Sequence, residues 1–298
     1  MVRNEFAQVT LVENATNQGF CRGNNQGIAL ARGEFIALLN NDAEANPAWL
    51  SESLKAFDAG DDIGMAASKI VSWDDPRRID KVGHLIYPDG QNGGRGAGEI
   101  DRGQYEKIEE VLWPDGCAAM YRKSMLDRIG GFDEDLFAYA DDAELGLRAR
   151  IAGWKCIYTP RAIVRHRRGS TLGRSNPDRI RLIERNRILL AAKLFPWSLL
   201  LLNPFYFALR VLSSLRFAAR AEGGDLDAFA GIGGKTRLAL GLVRGQWQAL
   251  CMLPKFLGKR ESVRKIAKLS NADIRQLILR NQLGWAALAG AREREVTS

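Results

Sequence analysis

The sequence predicts an α/β fold built on a buried sheet, followed by a basic helical region. Three observations carry this. Strand-like apolar runs alternate with helix-like segments across the first half of the chain, the grammar of α/β proteins. Phe35-Ile-Ala-Leu-Leu39 is a near-continuous apolar run, the form of a strand buried on both faces of a parallel sheet. Beyond Arg187 the texture is helical, and the charge balance changes sign. There are 25 basic and 28 acidic residues through Asn186, against 18 and 7 from Arg187 onward. A length of 298 residues accommodates a large unit, 1–185, and a smaller one, 186–298. With 46% hydrophobic and 26% charged residues, the chain is neither disordered nor a disulfide-stapled miniprotein.

Taken in order, Val9-Thr-Leu-Val12 is β-branched and reads as a strand. Asn14 to Asn25 is rich in Asn and Gly and reads as a loop. A short helix over Gln26 to Arg32 follows, ended by Gly33. After the Phe35 strand, Asn46-Pro47 opens a helix running to about Asp58. Ile63 to Ser72 is the next strand, and Asp74 to Gly103 is a glycine-rich excursion with room for a hairpin. Val111-Leu-Trp113 is a strand, and Ser124 caps a helix that Gly130-Gly131 ends. Asp141 to Ala152 is a helix with Ala143, Leu147 and Ile151 on one face. Cys156 to Tyr158 and Ala162 to Val164 flank Pro160 and read as edge strands. In the second unit, Thr236 to Leu253 is amphipathic. Asn271 caps a last helix carrying Ile274, Leu277, Ile278, Trp285 and Leu288. Leu194 to Leu209 is uncharged, but it is short of the ~20 residues of a spanning helix and holds two prolines, so it reads as an interfacial or core segment. The four cysteines lack metal-type spacing and read as buried thiols of a reducing compartment.

Four places could carry chemistry. Asn40-Asn41-Asp42 ends a strand, where open α/β sheets bind ligands, and suits a cation carrying phosphates, though an Asx-rich turn would look the same. Asp141-Asp142 opens a helix, where the dipole favours ionised carboxylates; it suits a general base, though capping alone would place Asp there. His166 follows a strand and could bind metal or simply sit in a basic loop. The segment Asn17 to Asn25 offers glycines and carboxamides to a nucleoside. Gly234-Lys235-Thr236 lacks the glycine five residues upstream and the preceding strand of a nucleotide loop.

The order of these segments resembles the family 2 glycosyltransferases of GT-A fold, in the non-processive, rhamnosyltransferase-like branch. Asn17-Gln-Gly-Phe20 with Gly23-Asn-Asn-Gln-Gly-Ile28, then FIALLNND over 35–42, Trp113-Pro-Asp-Gly116, Gly131-Phe-Asp-Glu134 and Phe137-Ala-Tyr-Ala-Asp-Asp142 carry the resemblance. Leu145-Gly-Leu-Arg148, Gly153-Trp154 and His166 with Gly169-Ser170 complete it. It implies an inverting transfer from a nucleotide-diphosphate sugar, dTDP-rhamnose by branch or a UDP sugar, to a glycan or lipid-linked acceptor. Asp42 and His166 would hold a divalent metal, Mg or Mn. Asp142 would be the base, supported by Asp141. Asn17, Gly19, Asn24, Asn25, Asn40, Asn41, Asp115, Gly116 and Arg148 would line the nucleotide-sugar site. The chain departs from the pattern at Asn40, where Asp is usual, and at Asp141, where Glu is usual. The family's opening strand, helix and strand, about 50 residues, are expected to be missing, leaving a gap or unpaired edges in the sheet. A catalytically silent sugar-nucleotide-binding or scaffold protein is the alternative. The basic tail is expected on the inner face of the cell membrane, making the protein cytoplasmic and peripheral. It carries no nucleic-acid module, so no nucleic acid is expected as a partner.

Overall fold

The computed structural model describes residues 2–167, 176–218, 232–284 and Leu288. A single turn, α1 (Val2–Glu5), precedes α2 (Gly19–Leu30), β1 (Phe35–Leu39), β2 (Ala43–Ala45), α3 (Trp49–Leu54) and β3 (Ile63–Ser72). The excursion supplies β4 (Ile79–Lys81) and a hairpin of β5 (His84–Ile86) and β6 (Asn92–Gly94). Next come β7 (Glu109–Val111), β8 (Ala118–Arg122), α4 (Lys123–Ile129), α5 (Asp141–Ile151) and β9 (Lys155–His166). The remainder is helical: α6 (Pro177–Leu194), α7 (Trp197–Leu200), α8 (Asn203–Ala218), α9 (Ile232–Gly258), α10 (Arg260–Ile266) and α11 (Asn271–Arg280).

The sheet is mixed and seven-stranded. Its path runs β1-β8-β3-β9-β2, with β4 on β3 and β7 on β9. Among the described strands of this sheet, only β3 and β9 pair in parallel. β3 is buried along nearly its whole length because it has neighbours on both sides. The core gathers Met65, Trp113, Tyr121 and Tyr158 with Leu189, Leu190, Phe195 and Phe256 from the helical part. The division expected near residue 185 thus falls inside α6, whose side chains complete the sheet's core. α9 lies on α6, and the contact is close because Gly241 and Gly245 face it. A Cβ at Gly241 would come within 3.0 Å of the Pro177 carbonyl, and one at Gly245 within 2.6 Å of the Arg181 carbonyl.

Several local expectations change. Val9 to Val12 forms no strand and its apolar side chains are exposed, because no sheet strand lies beside it to take its hydrogen bonds. The Asn- and Gly-rich stretch is not a loop throughout, since α2 begins at Gly19. β1 is an edge strand, paired only with β8 and antiparallel to it, so its burial alternates rather than being two-sided. Cys156 to Val164 lies in one interior strand rather than two edge strands. Pro160 falls at a register shift, where Ser68 pairs with Thr159 and Lys69 already with Ile163, so its missing N–H costs no ladder bond. The helix expected from Asn46-Pro47 begins later, at Trp49 with Ala48 as its N-cap; Asn46 Oδ1 accepts from the Ala48 N–H in the turn ahead of it, and the helix tightens to a 3₁₀ turn over Lys55–Ala59. α4 starts at Lys123, so Ser124 lies within it. Ser270, not Asn271, caps α11 through a reciprocal bond with Asp273. Gly234 to Thr236 is helical. Cys21, Cys117 and Cys156 are buried free thiols, while Cys251 is exposed. Gly169, Ser170 and Trp285 lie outside the described residues.

Candidate active site

The first half of the site forms where β1 ends. The Asn40 N–H donates to the Cys117 carbonyl at 2.9 Å, tying the strand end to the Asp115-Gly116-Cys117 segment. A turn closed by the Ala43 N–H on the Asn40 carbonyl delivers the chain into β2. Ala43 pairs with His166 across the β2–β9 ladder, which brings Asp42 beside that histidine. His166 Nε2 stands 3.5 Å from Asp42 Oδ1. Its Nδ1 is 2.8 Å from Asp80 Oδ2, on β4. Asp80 is almost wholly buried, and its carboxylate is an acceptor suited to a hydrogen on Nδ1. With hydrogen on Nδ1, Nε2 presents its lone pair toward Asp42, the arrangement by which carboxylates orient metal-binding histidines.

The second half surrounds Asp142 at the start of α5. Its Oδ2 lies 3.4 Å from the Gly116 N–H and 3.4 Å from His84 Nε2, and its Oδ1 accepts from the Ala143 N–H at 2.7 Å. Asp115 is buried; its Oδ1 accepts from the Cys117 N–H at 2.9 Å, and its Oδ2 meets His84 Nε2 at 3.0 Å and the Lys81 ammonium. Burial opposes ionisation of Asp115, but the Lys81 charge and the His84 bond outweigh it and hold the carboxyl well below the usual range. Asp141 is pushed the other way: burial, then the charge of Asp142, raise its carboxyl well above that range. Asp115 and Asp141 thus receive opposite environments. Cys117 lies between the halves: burial pushes its thiol up, and the charges of Asp115, Asp80 and Asp42 add to that.

The backbone before Asp141 is strained. Phe137, Tyr139 and Ala140 have φ of 67°, 69° and 56°, left-handed values that cost non-glycine residues energy and cluster at functional sites. Asn186 of α6 supplies the restraint. Fully buried, its amide donates to the carbonyls of Leu136, Ala138 and Tyr139 at 2.7–2.9 Å, while Arg185 donates to the Leu136 carbonyl and to Asn186 Oδ1. The start of α2 packs on the same segment. A Cβ at Gly19, whose φ is +76°, would come within 2.6 Å of the Phe137 carbonyl. The Phe20 ring would meet a Cβ at Gly116 at 3.0 Å.

The structure therefore brings together Asp42 with His166, and Asp115, Gly116 and Asp142 with one another. Other residues implied by the resemblance are engaged in holding the fold. Arg148 is buried, pairs with Glu144 and donates to the carbonyls of Ile129, Gly130 and Gly131, so its guanidinium is spent on the α4–α5 junction rather than offered to a ligand. Asn25 donates to the Phe132 carbonyl and accepts from its N–H, and Asn24 donates to the Phe20 carbonyl one turn back. Asn17 accepts from the Gly19 N–H in an Asx turn. Asp80, Lys81, His84 and Asn186 carry no sequence signal of their own. The nearest is that His84 is the second of only two histidines.

Residues 2–184 match the profile of glycosyltransferase-like family 2. The chain belongs to that family. Membership and the mixed α/β sheet together give the GT-A class that the sequence implies. An N-acetylglucosaminyl-diphospho-decaprenol L-rhamnosyltransferase of Mycobacterium tuberculosis is 41% identical over 64 residues, 22% of this chain and 21% of that protein. A pre-mycofactocin glycosyltransferase of the same organism is 25% identical over 162 residues, 53% of this chain and 32% of that protein. The chain thus matches between a fifth and a third of the length of these relatives. Among solved structures, a Pyrobaculum calidifontis mannosyltransferase in complex with GDP-Man and Mn2+ is 17% identical, covering 81% of this chain and 69% of that one at a TM-score of 0.45.

Proposed function

We propose that this chain is an inverting glycosyltransferase. It moves a sugar, rhamnose in the first instance, from a nucleotide diphosphate to a glycan or lipid-linked acceptor in cell-surface polysaccharide assembly. The observation that carries this is the pairing of two acidic centres across Asp115–Cys117: a His166–Asp42 corner built for a cation, and Asp142 at a helix start beside it. Support for the donor sugar and lipid-diphosphate acceptor comes from the rhamnosyltransferase relative.

Asp42 and His166 would hold Mg2+ or Mn2+. A carboxylate and an imidazole with its other nitrogen fixed by Asp80 are suitable ligands for either. Such an ion, when bound, neutralises charge on the departing diphosphate. Asp142 takes the proton of the acceptor hydroxyl as that oxygen attacks the anomeric carbon from the side opposite the leaving group, inverting the centre. Asp141, favoured in its neutral form by burial, supports Asp142 from the neighbouring position. Asn40 and Asn41 flank the diphosphate side, and Asp115 and Gly116 face the sugar.

The tail is read as a membrane contact. Among the described residues no helix is long and apolar enough to cross a membrane. Trp197, Leu201 and Phe205 on one stretch, and Val243, Trp247 and Leu250 on α9, are more than half exposed. Exposed apolar side chains within a region of 18 basic and 7 acidic residues suit an anionic lipid surface. Flotation with anionic vesicles at physiological salt tests it, and absence of binding removes it. Transfer itself is tested by incubating the chain with dTDP-rhamnose, Mn2+ and an N-acetylglucosaminyl-diphosphoprenol acceptor. Rhamnosylated product that disappears in Asp142→Asn supports the reading. No transfer from dTDP- or UDP-sugars, despite donor binding, favours the silent sugar-nucleotide-binding protein.

A further inference from the structure

His84, Asp115 and Asp142 each place a ligand-type atom within 4.8 Å of the others, a grouping that invites a metal. The charge count argues otherwise. The Lys81 ammonium already sits on Asp115 Oδ2, the same oxygen that His84 meets. A divalent ion would have to displace a buried cation from its partner. The cluster is instead one ammonium, two carboxylates and one imidazole whose protonation can be read from its surroundings.

His84 Nε2 faces carboxylate oxygens on both sides, Asp115 Oδ2 at 3.0 Å and Asp142 Oδ2 at 3.4 Å. Its Nδ1 is buried and has no hydrogen-bond partner among the described residues. An imidazolium would bury an N–H there with no acceptor, a costly state, whereas the neutral ring with hydrogen on Nε2 donates to Asp115 Oδ2 and leaves only a lone pair at Nδ1. The ring plane is held as well. It stacks on Trp113 at 5.9 Å between centroids and 22° between planes. Trp113 is itself fully buried and pressed from behind by Gly146 of α5, the helix that begins with Asp142. His84 is therefore locked in rotation, tautomer and position relative to that helix.

We propose that His84 is a positioning residue of the transfer reaction: its neutral Nε2–H donates to Asp115, which Lys81 backs, and the ring fixed in this way stands 3.4 Å from Asp142 Oδ2 and holds that carboxylate in its orientation toward the acceptor hydroxyl. This rests on reading Asp142 as the base. Lys81 supplies the positive charge, so His84 orients Asp142 without forming a salt bridge that would weaken its basicity. The proton taken from the acceptor stays on Asp142 and leaves to solvent; His84 does not receive it.

Two measurements on the full chain test this. The first is side-chain 15N–1H NMR at pH 7, simple because only His84 and His166 contribute, with His166→Gln assigning the signals. The expected pattern for His84 is neutral, with hydrogen on Nε2 and a bare Nδ1. An imidazolium, or hydrogen on Nδ1, overturns the proposal whatever the activity. The second compares His84→Phe, which keeps the stacking ring and loses the donor, with His84→Gln, which can place an amide N–H near the Nε2 position. With dTDP-rhamnose and the N-acetylglucosaminyl-diphosphoprenol acceptor, His84→Phe should lower kcat about 10–100-fold, the worth of one hydrogen bond to a charged group. The KM for donor should stay within about twofold, since the donor pocket is untouched, and His84→Gln should recover most of kcat. Equal losses in both variants with unchanged melting temperatures would mean that the imidazole itself transfers the proton; an unchanged kcat in His84→Phe would mean that it does nothing. Either overturns the proposal. Full activity in Asp142→Asn instead defeats the base assignment, a separate failure.

Discussion

Lys81→Met offers a quantitative test of the charge arrangement at the candidate site. In the native protein Asp115 is buried, and its carboxyl is held low by Lys81 and His84 against the burial that would raise it. A carboxyl with a depressed folded pKa contributes stability that is present above its unfolded pKa, about 3.9, and lost only as pH falls through the folded value. Replacing Lys81 with an apolar side chain of similar length removes the main opposing charge. Burial then dominates and carries the folded pKa above the unfolded one, which reverses the sign. In the variant, stability is full below the unfolded pKa and falls as pH rises through the new folded value. Breaking a buried pair costs about 3–5 kcal/mol, and both side chains are 13% exposed or less, so little of this is screened. At 1.36 kcal/mol per pKa unit, this cost corresponds to a rise of about 2–4 units. Urea unfolding should show a deficit already at pH 5, where the parent's ionised carboxyl is fully stabilised, that deepens to the full ~3–5 kcal/mol at pH 8 as the variant's carboxyl is forced to ionise. Adding Asp115→Asn to Lys81→Met should recover much of the loss at pH 8, because the uncompensated charge is gone. A deficit independent of pH, or a double variant no better than Lys81→Met, would refute the reasoning.

Asp141→Asn should shift pH dependence in one direction: the raised carboxyl of Asp141 costs the native protein stability as pH rises through its folded pKa, so the variant should gain on the parent between pH 5 and pH 8 in thermal melts. Asp80→Ala should weaken Mn2+ binding about 10–100-fold by isothermal titration, because the His166 ring loses the acceptor that fixes its tautomer. Asn186→Leu removes three buried carbonyl contacts and the restraint on the left-handed segment. It should cost more than about 2 kcal/mol in urea unfolding, with faster amide exchange over 136–142. Gly245→Val should lower the melting temperature by overpacking α9 against the Arg181 carbonyl, a cost of about 1–3 kcal/mol, while a Gly258→Ala control, with open space around it, should not.

Local pattern read well where burial was dictated by the segment itself. The run Ile63 to Ser72 was legible because it is largely apolar on both faces, and it lies inside the sheet with a neighbour on each side. The helix at Asp141 was legible from its acidic first turn and from Gly153, which follows it at a φ of +86°. Phe35 to Leu39 misled because an apolar run reports hydrophobicity, not the number of neighbouring strands, and this one lies at the edge. Pro160 misled because proline excludes a strand interior only where its N–H is needed, and here the ladder skips it. Arg148 looked available because motif order does not reveal that a guanidinium faces three main-chain carbonyls.

The sequence by itself determined the family, the alternation that builds the sheet, and the acids Asp42, Asp141 and Asp142 at element ends. These are properties of short windows: a run of apolar residues, a capping position, a motif. Only the tertiary structure decided what surrounds those acids. Asp80 reaches His166 across 86 residues and His84 reaches Asp115 across 31, while Asn186, from a helix that reads as part of another unit, pins the turn before Asp141. Which long-range segment passes a carboxylate is fixed by sheet pairing and helix packing. That passage sets whether burial or a neighbouring charge prevails, so Asp115 and Asp141, the same residue type 26 positions apart, are driven in opposite directions.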